Sequence, residues 1–451
     1  MEPMHKNVYD RFETLARDVL GKLREMQKAG RVGRREVPHI KIQRPGGLSL
    51  PSEYVPDWYS PMWGVLYELE ETPEFREFKV AVELDAELGS RMNTMIGTKS
   101  QRRRMEPRDF LQILVHRLVH KNPDTLDIDD EQLVDLWNTT VRSLLARTVT
   151  VRFWSILENI EIPVGSREVL EGVYLKGLCD EEVQQLWDNN LLVQEYYPFY
   201  GHYHSSILNV QTVIETEAEE DVVVGDHKIE STSALSSSQR AQTSFETILT
   251  TLRLLKSEPI VMTPLFAVRK DVFGGTAAYG TRIPMLKPYG GQCKLNESDL
   301  DELGRLLRVV NHPASRQTGS VTVCLRRIGF ANTRTSDEDK LLDIMMALEA
   351  LVLTGSGSPE DRGELVFRLA IRLARFLGEN ADEMRGIYDL VRAAYKLRSK
   401  VIHGGQLESG DEKVITEVEE LTKSATRKYL QTLSDGDNVD WTALLFCEDR
   451  P

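Results

Sequence analysis

Arg398 and His403 stand five residues apart in the stretch from Tyr395 to Gly405, which reads Tyr-Lys-Leu-Arg-Ser-Lys-Val-Ile-His-Gly-Gly. Histidine is the side chain whose ordinary pKa lies nearest neutral pH, and a guanidinium grips phosphate oxygens through two parallel hydrogen bonds. The pair therefore suits acid–base work on a phosphodiester, with the cation holding the charge that develops. Between Arg385 and His403 the cations Arg385, Arg392, Lys396, Arg398 and Lys400 meet one acid, Asp389, a net of +4 in a chain whose net charge is −14. Such a local inversion suits contact with a polyanion. The plainer reading is that an Arg and a His near a helix C-terminus answer the helix dipole and its free carbonyls.

These residues need a helix to hold them. Ile387, Leu390, Ala394, Leu397 and Val401 step by three and four, the stripe of an amphipathic helix over 384–403, and Gly404 and Gly405 supply its stop. At about 100° per residue, Arg398 and His403 point roughly 140° apart on an ideal helix. Either the last turn distorts, or a second copy of the helix supplies the complementary group across a two-fold axis. Further helices are expected at Glu297–Val310, from Thr335 and Glu338 as a capping box through Leu341, Met345, Leu348 and Val352, at Glu364–Leu377, and along Val414, Val418, Leu421, Ala425 and Tyr429. Val321–Arg327, with the paired Arg326 and Arg327, reads as a short extended piece, and Gly355–Pro359 as a turn. Arg368, Arg372 and Arg375 line up on the polar side of their helix, and Glu349 falls off its helix's apolar stripe, a surface acid or a partner for an arginine. Each stripe needs the others to cover it, which is what a bundle does.

The Arg398-to-His403 spacing, the following Gly404, the preceding Tyr395 and the Ala-Leu-Glu-Ala-Leu at 347–351 resemble the HEPN superfamily, and the phrasing around the motif is most similar to its ApeA-like branch. The resemblance covers about Asn296 to Leu433. Leu-Glu-Asn-Ile-Glu-Ile-Pro and Leu-Cys-Asp-Glu-Glu resemble segments upstream of such domains. It implies an all-α HEPN bundle that dimerises and cuts RNA with no metal and no cofactor. Arg398 and His403 would be catalytic, supported by Ser399, Glu349, Tyr395 and Lys400, while Arg392, Lys396, Arg368 and Arg372 would contact RNA. Many nucleolytic members carry Asn, Asp or His directly after the Arg; this chain has Ser399, whose hydroxyl can still bond a phosphate. The resemblance further implies a role in antiphage defence by abortive infection or as a toxin, tRNA among the candidate substrates, and a phage-derived trigger or regulatory partner. The alternative is an inactive HEPN module that binds RNA or a partner in a defence or regulatory complex.

Composition sets the frame. The chain has 451 residues, 41% hydrophobic and 28% charged, room for two or three domains. The absence of a long apolar run leads us to expect a cytoplasmic protein with no membrane contact. Cys179, Cys293, Cys324 and Cys447 are scattered, so neither a disulfide framework nor a zinc site is indicated. The acidic balance confines RNA contact to local basic patches. We expect an α+β multi-domain protein: a mainly helical region at 1–147, a β-rich region at 148–291, the HEPN bundle at 292–435 and a tail at 436–451.

Outside the bundle the signals are thinner. Asn7–Ala29 reads as a core-facing helix and Arg31–Gly47 as a solvated basic loop or an extended arm that could touch phosphate. The aromatics Tyr54, Trp58, Tyr59, Trp63 and Tyr67 suit a small core under a proline-rich turn, with base stacking as the other reading. Lys99, Arg102, Arg103, Arg104 and Arg108 form the densest basic run, an RNA or partner contact or an exposed helix start; Gly97-Thr-Lys-Ser100 is no Walker loop. His116 and His120, lacking the Glu of HExxH, are expected at the edge of a core, and Asp127–Glu131 at a helix N-terminus. Thr148–Trp154, Ile160–Val164, Val173–Leu175 and Ser205–Glu215 read as strands, with His202 and His204 on one face. Thr216–Asp221 and Ser231–Ser238 read as a mobile insertion, Ser244–Leu255 as helix, Ile260–Val272 as strand and the glycine-rich Gly274–Gly291 as a flexible loop.

Overall fold

The structure, a computed structural model, describes residues 2–38, 41–43, 47–49, 52–98, 102–179, 182, 212–225, 236–262, 265–269, 276–279, 293–353 and 365–445. Lys99, His202, His204, Cys447, the turn at 355–359 and all of the glycine-rich segment except its 276–279 strand lie outside the described residues. The protein is mixed α and β, with several sheets and a helical C-terminal region. Among the described residues no helix is long and apolar enough to cross a membrane.

Three clusters of buried residues follow one another along the chain. The first joins α1 (Lys6–Lys28), α2 (Tyr59–Glu70), α3 (Pro73–Leu84), α4 (Ala86–Gly89), α5 (Pro107–Lys121) and α6 (Asp130–Leu145). Its centre is Trp137, stacked on Phe12 with ring centroids 5.1 Å apart and donating its indole N–H to the Met4 carbonyl at 2.7 Å. Asp129 and Gln132 close a capping box at the start of α6, as the acidic run there suggested. The basic segment expected as a loop or extended arm contains β1 (Arg34–Pro38), paired antiparallel with β4 (Ser52–Pro56), and β2 (Lys41–Gln43), paired with β3 (Gly47–Ser49). Backbone pairing across a hairpin needs no apolar face, so a polar stretch can still be strand. β5 (Thr94–Gly97) and β6 (Arg102–Met105) form a second hairpin.

The middle core lies on one face of β7 (Thr148–Glu158). Val149, Val151, Phe153 and Leu157 alternate toward it, meeting Phe245, Ile248 and Leu252 of α7 (Ser237–Leu255) and Leu300, Leu303 and Leu307 of α8 (Glu297–Val310). Short strands β8 (Ile160–Glu161), β9 (Gly165–Leu170) and β10 (Val173–Gly177) follow β7. The acidic segment placed in a mobile insertion belongs to β11 (Thr212–Asp221), which pairs antiparallel with β7 from Thr212 opposite Leu157 to Asp221 opposite Thr148. Its acids Glu217, Glu219 and Asp221 occupy the exposed positions, so the charge marks a solvent face and not missing structure. β12 (Val223–Val224) pairs with β5, β13 (Val261–Met262) and β14 (Leu265–Arg269) with β7, β15 (Thr276–Tyr279) with β14, and β16 (Cys293–Lys294) with β8.

The C-terminal cluster joins α9 (Pro313–Gln317), α10 (Gly319–Thr333), α11 (Asp337–Val352), α12 (Leu365–Leu377), α13 (Ala381–Ile402) and α14 (Asp411–Ser434). The segment Val321–Arg327, expected as extended, is helical. Val321, Cys324, Ile328 and Ala331 recur at three and four and are all buried, and that tertiary burial outweighs the weak helix propensity of the β-branched Val-Thr-Val. The cap of α11 is Ser336, not Thr335: its hydroxyl accepts from the Asp339 N–H at 3.3 Å. Trp441, expected in the tail, packs between Phe376 at 5.2 Å and Tyr429 at 5.9 Å.

A polar joint ties the middle core to this bundle. Asn332 of α10 accepts the Ile260 N–H at 3.0 Å and donates to the Glu258 carbonyl at 2.9 Å. From α14, Lys423 donates to the Lys256 carbonyl at 2.8 Å and Arg427 to the Leu254 carbonyl at 3.0 Å. The connection after α7 thus has its backbone groups satisfied by bundle side chains, as buried polar groups require.

Candidate functional site

α13 carries Tyr395, Lys396, Arg398, Ser399 and Lys400, with His403 as its cap residue. The helix starts on Asn380, whose side chain accepts from the Glu383 N–H. It ends in the paired bonds of a Schellman motif: Gly405 donates to the Lys400 carbonyl at 2.8 Å and Gly404 to Val401 at 3.0 Å. Gly404 sits at φ +79°, and a Cβ on Gly405 would lie 2.9 Å from the Lys400 carbonyl oxygen. The two glycines therefore fix where the helix stops and where the chain after His403 turns away.

Arg398 is half-buried. Its Nη2 lies 3.4 Å from the nearer carboxylate oxygen of Glu349 on α11, and its guanidinium lies over the Tyr395 ring, 5.2 Å from the centroid. Its Nε is buried and has no hydrogen-bond partner among the described residues. Glu349 is the arginine partner that its position off the stripe allowed. Burial pushes its carboxyl up from the ordinary value, and the Arg398 charge offsets part of that rise. His403 is exposed, and its imidazole makes no hydrogen bond or ion pair among the described residues. Ser399 is half-buried, and its carbonyl accepts the His403 backbone N–H at 3.1 Å. Lys400 reaches Glu408 in the following loop at 2.6 Å.

The expected RNA contacts divide. Arg392 and Lys396 are exposed on α13, and Arg392 lies over the Tyr388 ring at 5.6 Å. Arg368 is half-buried and engaged in interactions of its own. Arg372 does not face solvent: it is 4% exposed and donates to the Val352 carbonyl at 3.0 Å, the C-terminal end of α11. A cation there answers the free carbonyls and the negative end of that helix, so Arg372 is a structural clamp rather than an RNA contact. Sequence spacing lined it up with Arg368, but only the approach of α11 buries it.

Sequence reading passed over the contact of Phe367, 49% exposed, with Tyr388 at 6.3 Å. Phe367 is on α12 and Tyr388, half-buried, on α13, the motif helix itself. Elsewhere, His116 and His120 are exposed and not at a core edge, with Nε2 atoms 3.0 Å apart, because Leu114, Val115, Leu118 and Val119 turn the buried face of α5 away from them.

Comparison with protein families, with curated proteins and with solved structures finds no match to this chain.

Proposed function

We propose that this chain is a metal-independent endoribonuclease of the HEPN type, acting in antiphage defence or as a toxin, with Arg398 and His403 as its catalytic residues. The observation that carries the reading is Arg398: a half-buried guanidinium held by Glu349 and Tyr395, with one buried N–H unpaired, on the turn before an exposed histidine. In the reaction, the His403 imidazole takes the proton of a ribose 2′-hydroxyl. That oxygen attacks the adjacent phosphorus, and the P–O bond to the 5′-oxygen breaks as this oxygen takes a proton from solvent water. Arg398 neutralises charge on the phosphoryl oxygens, releasing a 2′,3′-cyclic phosphate and a 5′-hydroxyl. Ser399 and Lys400 offer the phosphate further donors, and Arg392 and Lys396 guide the strand.

Two copies form the active unit in this reading. α13 buries only Val391 and Ala394 of its 22 residues, leaving Ile387, Leu390, Leu397 and Val401 half-covered and Ile402 54% exposed. Ile387 and Leu397 already lie against the bundle's own core, so a second copy laid along the outer side of α13 would cover the exposed Ile402 and bring two motifs together. The N-terminal and middle regions would then regulate the bundle through the joint at Leu254–Ile260.

A second reading, an inactive module that binds RNA or a partner, is favoured by the acid already seated on Arg398. Incubation of wild-type and His403→Ala protein with cellular RNA in EDTA separates the two. Discrete cuts ending in cyclic phosphates with wild type alone are expected. Equal cutting by both proteins overturns the assignment of His403, and intact RNA in a toxic wild-type culture favours the binding module.

A further inference from the structure

Far from α13 along the chain, the first helical core presents a surface that its packing does not explain. Met62, Val65, Leu66 and Leu69 bury one side of α2. Tyr59, Trp63 and Tyr67, spaced by four, form a ladder on another side, with successive ring centroids 6.4 and 6.2 Å apart. Tyr59 is 68% and Tyr67 60% exposed, which leaves much of two large rings in water beside Trp63. Arg108 extends the ladder: its guanidinium lies 4.8 Å from the Tyr67 centroid and 6.0 Å from that of Trp63, steadied by Glu70 at 2.6 Å. Just upstream, β6 carries Arg102, Arg103 and Arg104, of which Arg103 and Arg104 are exposed. Arg104 and Arg108 are four residues apart, so chain reach alone keeps them within about 14 Å.

A row of rings, two of them largely exposed, with guanidiniums beside it matches unpaired bases joined by phosphates. A base lies on an aromatic face regardless of its identity, while the arginines meet the backbone. A duplex hides its base faces, and an aliphatic protein patch would offer the arginines no counter-charge. We propose that Tyr59, Trp63 and Tyr67, with Arg103, Arg104 and Arg108, form a binding site for single-stranded RNA. The choice of RNA as the nucleic acid rests on the ribonuclease reading above; the stacking geometry stands apart from it. The site would collect substrate on the N-terminal region and hold it for a cut made elsewhere on the protein.

The test uses the full chain carrying His403→Ala, so that RNA stays intact during measurement. The probes are a fluorescein-labelled oligouridine of about 20 nucleotides and a blunt RNA duplex of the same length, read by fluorescence anisotropy. We expect the single strand to bind much more tightly than the duplex. Trp63→Ala should raise Kd at least about fivefold, Trp63→Phe should restore most of the loss, and Arg103→Ala with Arg104→Ala should flatten the salt dependence. An unchanged Kd in Trp63→Ala overturns the site. So does a change in the self-association of Trp63→Ala with RNA binding intact, which would make the ladder a protein contact. Cleavage that persists in His403→Ala would sink the assignment of the catalytic residue while leaving the ladder's binding data standing.

Discussion

The first and last helical cores are built from similar apolar residues but treat polar groups in opposite ways. Around Trp137 the buried polar residues are neutral: Thr98, Asn138 and Thr140. In the C-terminal bundle Asp343, Arg372, Glu419 and Lys423 are all less than 5% exposed. Asp343 receives Arg327 and Arg334, each at 2.8 Å, and Lys423 meets Glu419 at 2.8 Å while reaching the middle region's backbone. Burying charge is costly unless every group is paired, so such clusters add little net stability while the loss of one partner is expensive. The core that would carry chemistry is the one pinned by ions.

The sharpest way to break this contrast is Lys423→Met. Left without its partner, Glu419 is a buried acid with Lys340 alone, and we expect a loss of about 3–5 kcal/mol of local stability, read as faster hydrogen exchange of the α14 amides. Exchange within tenfold of wild type would mean that the ions do not hold the bundle. In the neutral core, Asn138→Ala orphans the Met4 N–H, which it accepts at 2.7 Å, and should cost about 1–3 kcal/mol, visible in the α6 amides and silent in α14.

Acid should separate the cores further. Burial pushes the Glu419 carboxyl up, but Lys423 and Lys340 together bring it below the ordinary value. Its contribution is therefore complete above the unfolded value of about 4.3 and disappears as pH falls through the lower folded value. Protection of α14 should fall on acidification more steeply in wild type than in Glu419→Gln, and equal slopes would count against the pair. The smallest effect is expected for Glu349→Gln. Because burial raises this carboxyl, its ionised form gives the fold nothing to lose, and stability near pH 8 should stay within about 0.5 kcal/mol of wild type. A larger loss would make the Arg398 pair structural.

α13 and α14 repeat the comparison within one bundle. α14 buries ten named residues of its 24, including the Glu419–Lys423 pair, whereas α13 buries two of 22. The motif lies on the looser helix, where Arg398 is positioned by one acid and one ring.

The sequence by itself determined the local events. The three-and-four stripes placed α1, α11, α13 and α14, because burying one face of a helix requires that period. Gly404 and Gly405 stopped α13 because a Schellman turn needs a left-handed residue, and Asp129 and Gln132 capped α6 because free N–H groups need acceptors. Tertiary structure decided everything that depends on a partner distant in the chain. Only β7 turned the acidic run of β11 into a strand, and only packing made Val321–Arg327 helical, since their local propensities favoured other states. Arg368 and Arg372 are the same residue type one turn apart. The end of α11 lies against one of them, and that approach, invisible in spacing, made it a buried clamp.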